Sequence, residues 1–208
     1  MNDQEYYRPQ NVEEQYTYDS FWKAVNPIGQ PLIEGQPVVE FLRKSGLEGG
    51  ILRQIWGLVS SASTLNMTQF YTYMRFVSMF QCNITPLTKE KYLETRSSIL
   101  RVPQFGDIAI CESSQYAIAP DLHMKYHELF AGYDTDNNGY IQGSEAVPIL
   151  AKSGLDKATL SHVWLLSDID GDGRLSPKEF CIAFHLILKI SKKQCPSPYI
   201  LPPSLKEF

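Results

Sequence analysis

Asp168-Ile169-Asp170-Gly171-Asp172-Gly173-Arg174-Leu175-Ser176-Pro177-Lys178-Glu179 is the stretch from which the rest of the chain can be read. Oxygen-bearing side chains stand at positions 1, 3, 5 and 9 of these twelve residues, glycine at 6, a hydrophobe at 8 and a carboxylate at 12. That is the register of a calcium-binding EF-hand loop. A tight turn at Gly173 brings the early ligands around one ion, and glycine supplies the backbone freedom the turn needs. Asp168, Asp170 and Asp172 offer carboxylate oxygens and Glu179 can chelate with both of its own. Arg174 contributes only its backbone carbonyl, and Ser176 acts through water. A merely solvated acidic turn has no reason to meet all these spacings at once.

A second loop in the same register lies upstream. Asp134, Asp136, Asn138, Gly139, Tyr140, Ile141, Gln142 and Glu145 occupy positions 1, 3, 5, 6, 7, 8, 9 and 12. A helix starting at Asp121 precedes it, with Leu122, Tyr126, Leu129, Phe130 and Tyr133 as its inward stripe. Further helices are expected at 143–152, 156–166 and 176–190. The two loops should touch through a short two-stranded contact at position 8, Ile141 against Leu175. The proline-rich tail from Cys195 to Pro203 is expected to be extended, its apolar residues folded back on the helices rather than offered as a free polyproline ligand.

The chain repeats itself. Phe41-Leu42-Arg43-Lys44-Ser45-Gly46-Leu47 returns as Ile149-Leu150-Ala151-Lys152-Ser153-Gly154-Leu155. Leu52 and Trp56 return as Leu160 and Trp164, displaced along the chain by the same interval. Two copies of one four-helix unit follow. In the first, helices are expected over 16–25, 37–44, 48–59 and 68–80. Its loops have lost the metal pattern. Aligned through Ile33, Pro31 takes the glycine position and Pro37 replaces the closing glutamate, while the loop from Ser60 to Asn66 is two residues short and has no acidic ligand. No calcium is expected there, so packing and hydrogen bonds must hold those loops closed.

At 208 residues, 43% hydrophobic and 12% aromatic, the chain has material for two small cores. A net charge of −4 argues against a nucleic-acid surface. The acidic start does not read as a signal peptide, and no apolar run reaches spanning length, so an intracellular, soluble protein with reduced cysteines is expected. Cys82, Cys111, Cys181 and Cys195 lack paired C-x-x-C spacing. His123 and His127 stand four apart on a helix, a spacing that can hold metal, but no third ligand follows in sequence and they read as surface histidines. No catalytic constellation or phosphate-cradling glycine loop appears, so no enzyme activity is expected.

With these motifs placed, both copies resemble the EH domain family, the epidermal-growth-factor-receptor-substrate homology domains of endocytosis. The resemblance rests on Lys152-Ser153-Gly154-Leu155, the stretch from Leu160 to Asp168, the stretch from Glu179 to Ile187, and the late Leu201-Pro202-Pro203-Ser204-Leu205. It implies an all-α fold of two EF-hand-pair domains, each with four main helices and a short two-stranded loop contact. The expected division is a flexible arm at 1–12, a first domain at 13–82, a partly helical linker at 83–118 and a second domain at 119–208. It also implies binding of Asn-Pro-Phe peptides of endocytic or trafficking partners in a pocket between the second and third helices. In the second copy that pocket is carried by Leu150, Leu160 and Trp164, with Lys152 and Gly154 near its edge. In the first it is carried by Leu42, Leu52 and Trp56, with Lys44 and Gly46 in matching places. A cytoplasmic adaptor at plasma-membrane endocytic sites or endosomes follows, with structural calcium in the second domain and any membrane contact indirect. The rival classes are a calcium sensor that opens a groove on binding and an architectural coat or oligomerisation protein.

Overall fold

The computed structural model describes residues 5–106 and 108–206 and divides into two compact units, residues 1–110 and 111–208. In unit 1 the helices are α1 (Val12–Val25), α2 (Gly35–Arg43), α3 (Gly49–Val59), α4 (Met67–Gln81) and a short α5 (Lys89–Thr95). Strand β1 (Ile33–Glu34) pairs antiparallel with β2 (Thr64–Leu65), Ile33 opposite Leu65. Unit 2 repeats the plan with α6 (Pro120–Tyr133), β3 (Ile141–Gln142), α7 (Gly143–Leu150), α8 (Lys157–Ser167), β4 (Arg174–Leu175) and α9 (Pro177–Ser191). Ile141 lies opposite Leu175, the expected loop contact. Each helix falls within a few residues of its sequence-based range.

Local chemistry sets the helix ends. The Asn11 side chain accepts from the Glu14 N–H at 2.9 Å and starts α1 four residues earlier than its apolar stripe suggested. Reciprocal capping boxes open α4 (Asn66 with Gln69), α7 (Gln142 with Glu145) and α9 (Ser176 with Glu179). The fourth helix of each unit is its central post: Phe70 to Met79 of α4 and Glu179 to Ala183 of α9 are buried without a break.

Two boundary expectations are corrected. Of the segment read as a flexible arm, residues 1–4 lie outside the described residues, but Tyr7 is 1% exposed. Its N–H donates to Thr72 Oγ1 at 2.7 Å and its hydroxyl to Glu14 Oε1 at 2.7 Å. The segment read as a linker divides after Ile110, its two parts packing into different cores. Leu87, Tyr92 and Phe105 join the core of unit 1, and Tyr116 joins that of unit 2. Isolated large hydrophobes without helical spacing gave no periodic signal, yet burying each is worth about 1.5–3 kcal/mol. The tail does fold back: Leu205 is fully buried, Tyr116 Oη donates to the Pro196 carbonyl at 2.9 Å, and Ser204 N donates to Ser113 Oγ at 2.9 Å.

One helix position is filled differently in the two cores. The second loop of unit 1 is two residues short, so the ladder strand and helix that follow it match unit 2 in a register shifted by two from that of the tryptophans. Leu65 then answers to Leu175, and Arg75 of α4 to His185 of α9. Arg75 is fully buried. Its Nη2 donates to the carbonyls of Thr95 (2.6 Å) and Ser98 (2.5 Å), Nη1 lies 3.9 Å from Glu14, and the guanidinium sits 4.9 Å from the centre of the Tyr7 ring. One cation thus ties the N-terminal segment and the chain after α5 to the central post. His185 is 2% exposed, and its Nδ1 shares a hydrogen bond of 3.0 Å with Tyr126 Oη. Burial, aided by the charge of Lys189, pushes its pKa down to about 4 and keeps the ring neutral.

Replacing Arg75 with Met leaves Glu14 buried without its cation and should cost unit 1 about 3 kcal/mol, read as a lower urea midpoint for the tryptophan fluorescence of that unit. For His185 the unfolded ring takes a proton near 6.5 and the folded one near 4, so the unfolded state binds more protons between those values. The stability of unit 2 should therefore be intact above pH 6.5 and fall by up to about 3 kcal/mol on the way to pH 4. Denaturant melts across that window should show the loss, and His185→Gln should flatten it.

Candidate functional site

Helices α7 and α8 of unit 2 splay to leave a groove of about 730 Å³. Ala146, Val147 and Leu150 form the α7 wall, and Leu160, Trp164 and Leu165 form the α8 wall. Leu160 and Trp164 are four apart, so they share one face of α8. Leu150 is buried at the base, Leu160 and Trp164 are half-buried, and Val147 and Leu165 stand out at 66% and 73% exposure. The sequence-based residues Leu150, Leu160 and Trp164 are thus brought together around an open apolar cleft. Lys152 and Gly154 are exposed and do not line it; Leu155 and Lys157 do.

The repeated Ser-Gly-Leu proves to be a turn. Ser153 Oγ donates to the Leu150 carbonyl at 2.6 Å and accepts from the Leu155 N–H at 3.3 Å, with Gly154 at φ 74°, a left-handed conformation that suits glycine. The turn aims Leu155 into the groove. Ser45, Gly46 and Leu47 make the same turn in unit 1, where Ser45 Oγ donates to the Leu42 carbonyl at 2.6 Å and accepts from Leu47 N at 3.4 Å.

The matching cleft of unit 1 encloses only about 150 Å³. Leu42, Leu52 and Trp56 line it, while Lys44 and Gly46 are exposed and do not. Tyr73 of α4 occupies the space. Its hydroxyl donates to the Leu52 carbonyl at 2.5 Å and its ring meets the Trp56 indole edge-on, centroids 6.2 Å apart. The indole N–H is also committed, to the Ala62 carbonyl at 2.9 Å. In α9 the corresponding position is Ala183. A phenol replaced by a methyl accounts for the difference in room. Sequence comparison of the two copies carried that signal, but only through a register two residues off the one used for the tryptophans.

The acidic loops of unit 2 converge as their spacing requires. One carboxylate oxygen from each of Asp134, Asp136 and Glu145 lies within 4.8 Å of the others, and so does one from each of Asp168, Asp170 and Asp172. Gly139 and Gly173 adopt φ 83° and 79°, which turns their N–H groups toward Asp134 Oδ2 (2.8 Å) and Asp168 Oδ2 (3.1 Å). Asp168 Oδ1 is buried with no hydrogen-bond partner among the described residues, an orphaned anionic oxygen that suits a cation. Glu179 Oε1 accepts from Ile169 N at 2.8 Å and Oε2 from Ser176 N at 2.9 Å. Partial burial pushes its carboxyl up, but the Ser176 hydroxyl and these N–H groups outweigh that and hold its pKa below the usual range. Glu145 is lowered by the Thr135 hydroxyl together with the N–H groups of Gln142 and Thr135. Asn138, Gln142 and Ser176 stand at the loop positions expected of them. The side chains of Arg174 and Tyr140 stay outside, the guanidinium 2.9 Å from Asp172 and 4.6 Å from the centre of the Tyr140 ring, so only their carbonyls are free to face an ion.

The loops of unit 1 are closed without acidic ligands. Asn26 donates to the Gln30 carbonyl at 2.7 Å and accepts from Gln30 N at 2.9 Å. Ser60 Oγ accepts from Ala62 N at 3.1 Å and donates to the Thr64 carbonyl at 3.3 Å.

A family model described as the EH domain matches residues 10–97 and again 119–204. The chain belongs to the EH domain family. Among its relatives, mouse epidermal growth factor receptor substrate 15-like 1 is 32% identical over 197 residues, which is 90% of this chain but 21% of that protein. The Podospora anserina actin cytoskeleton-regulatory complex protein PAN1 is 40% identical over 97 residues, 45% of this chain and 7% of that one. A solved structure, the second EH domain of AtEH1/Pan1, is 36% identical, covers 42% of this chain and 84% of its own, and has a TM-score of 0.40. The chain therefore spans about a fifth or less of the curated relatives it matches. The first EH match extends through α5, and the second extends to Ser204 beside the buried Leu205. Residues 83–97 of the segment read as linker, and the tail as far as Ser204, thus lie within the family pattern.

Proposed function

We propose that the second EH domain captures a short peptide by seating a phenylalanine ring, presented within Asn-Pro-Phe, against Trp164 between Leu150 and Leu160. The observation that carries this reading is the open apolar groove between α7 and α8, with its half-buried indole and exposed rim. Filling such a cleft with one aromatic ring is worth about 1.5–3 kcal/mol of apolar burial, less the cost of association. A single module then binds at roughly micromolar affinity or weaker. Membership of the EH domain family supports the ligand class. The narrow groove of the first EH domain, occupied by Tyr73, favours the second as the working site. The module acts as a non-catalytic adaptor in the cytoplasm, at plasma-membrane endocytic sites or endosomes, holding partners that carry the motif.

Calcium fits the loops of the same domain. Asp134, Asp136, Asn138, Gln142 and Glu145, with the Tyr140 carbonyl, would hold one ion. Asp168, Asp170, Asp172, Ser176 and Glu179, with the Arg174 carbonyl, would hold another. The ion supplies charge compensation to converging carboxylates, so its role is to stabilise the frame rather than to switch the groove.

Titration of an Asn-Pro-Phe peptide by calorimetry should give binding that an Asn-Pro-Ala peptide lacks. Trp164→Ala should weaken it tenfold or more, about 1.4 kcal/mol, while Trp56→Ala should leave it within twofold. Equal losses in both variants, or no binding by the intact chain, would sink this assignment. For calcium, Asp168→Asn combined with Glu179→Gln should lower the melting temperature of the domain in calcium. Peptide affinity measured well below that temperature should not change; a large change there would favour the sensor reading.

A further inference from the structure

We propose that unit 2 also carries a zinc site, separate from its acidic loops, formed by His123 and His127 of α6 and Cys181 of α9. Sequence spacing left the two histidines without a third ligand; the fold supplies it from the last helix of the unit. One ligand atom from each of the three side chains lies within 4.8 Å of the other two. The arrangement follows from how the helices meet. His123 and His127 are four apart on the side of α6 that carries Tyr126, whose ring packs edge-on against Phe184 of α9 at 5.5 Å. Cys181 is three residues before Phe184 on the same face of α9 and is fully buried. The histidine rings already sit edge to face, centroids 4.5 Å apart, with His127 open to solvent.

The corresponding positions of unit 1 supply an independent argument. Helix α1 matches α6 in the register of the tryptophans, and α4 matches α9 in the register of the ladder. His123, His127 and Cys181 therefore answer to Gln15, Asp19 and Tyr71. Those residues make a closed cross-helix link: Gln15 Nε2 donates to Asp19 Oδ1 at 2.9 Å and to Tyr71 Oη at 3.2 Å, and Tyr71 donates to Asp19. This spot is where the first helix of unit 1 is fastened to its fourth. In unit 2 the same three stations hold two imidazoles and a thiol.

The donor set selects the metal. Two nitrogens and one sulfur suit zinc, whereas calcium takes oxygens such as those of the neighbouring loops. Around a tetrahedral zinc the ligand atoms sit roughly 3.3–3.6 Å apart, so atoms that lie within 4.8 Å of one another need to close by no more than about 1.5 Å, within reach of small rotamer shifts. As the zinc–sulfur bond forms, the Cys181 Sγ proton passes to solvent. Water completes the fourth position on the open side next to His127. The ion thereby staples α6 to α9.

The full chain, with its loops saturated by calcium, is titrated with zinc chloride against a chromophoric chelator. One zinc per chain should bind and raise the melting temperature of unit 2. His127→Gln, an exposed substitution, should leave metal-free melting unchanged and weaken zinc on the order of tenfold or more. Cobalt in place of zinc should give a thiolate-to-metal charge-transfer band that Cys181→Ser abolishes. Zinc affinity that is the same in His127→Gln and Cys181→Ser as in the unaltered chain overturns the proposal, and so does a cobalt complex without the charge-transfer band.

Discussion

Two side chains facing one another across a two-residue ladder close each unit. Ile33 against Leu65 and Ile141 against Leu175 are almost wholly buried, and each pair ties the two helix–loop–helix hands together at the point where both loops turn inward. A slip of one residue would turn each hydrophobe to solvent and its neighbour into the core. The ladder therefore sets the register of the following helix, and through it which residues of α4 and α9 point at the groove. The two missing residues of the second loop in unit 1 are absorbed before the ladder, leaving the pairing of Leu65 undisturbed.

On this common frame the two units are fastened by different chemistry. Unit 1 uses hydrogen bonds in its loops (Asn26, Ser60), a fixed buried cation in its core (Arg75) and a phenol in its groove (Tyr73). Unit 2 places carboxylates, a neutral histidine and a methyl at the same stations. The first set is closed by internal contacts, although Arg75 Nε and Nη1 have no hydrogen-bond partner among the described residues. The second leaves converging anionic oxygens and an open cleft, features that are favourable when something binds them.

What sequence could reveal followed from what is periodic. Loop positions and the stretches shared by the two copies recur at fixed intervals, so the helices and the loop contact were legible, whereas the trio Leu150, Leu160 and Trp164 came from the resemblance to the EH domain family. Tyr7, Leu87, Tyr92 and Phe105 are single anchors in stretches without period, and their burial depends on partners far along the chain. Arg75 was hidden inside an aromatic run, where a charge is expected to face water rather than two carbonyls and a ring. Lys152 and Gly154 were placed near the groove's edge by the family resemblance, yet neither lines it, and Gly154 serves the turn that Ser153 closes. Cys181 looked like packing because its histidine neighbours belong to another helix.

The exchange of Tyr73 for Ala183 reaches beyond natural ligands. A compact aromatic compound shaped for the wider cleft would find no room in the narrower one, where it must first break the Tyr73–Leu52 hydrogen bond and evict a packed ring. Such a compound would enter the cleft of unit 2 and be turned away from that of unit 1, a selectivity between tandem copies written in a single side chain.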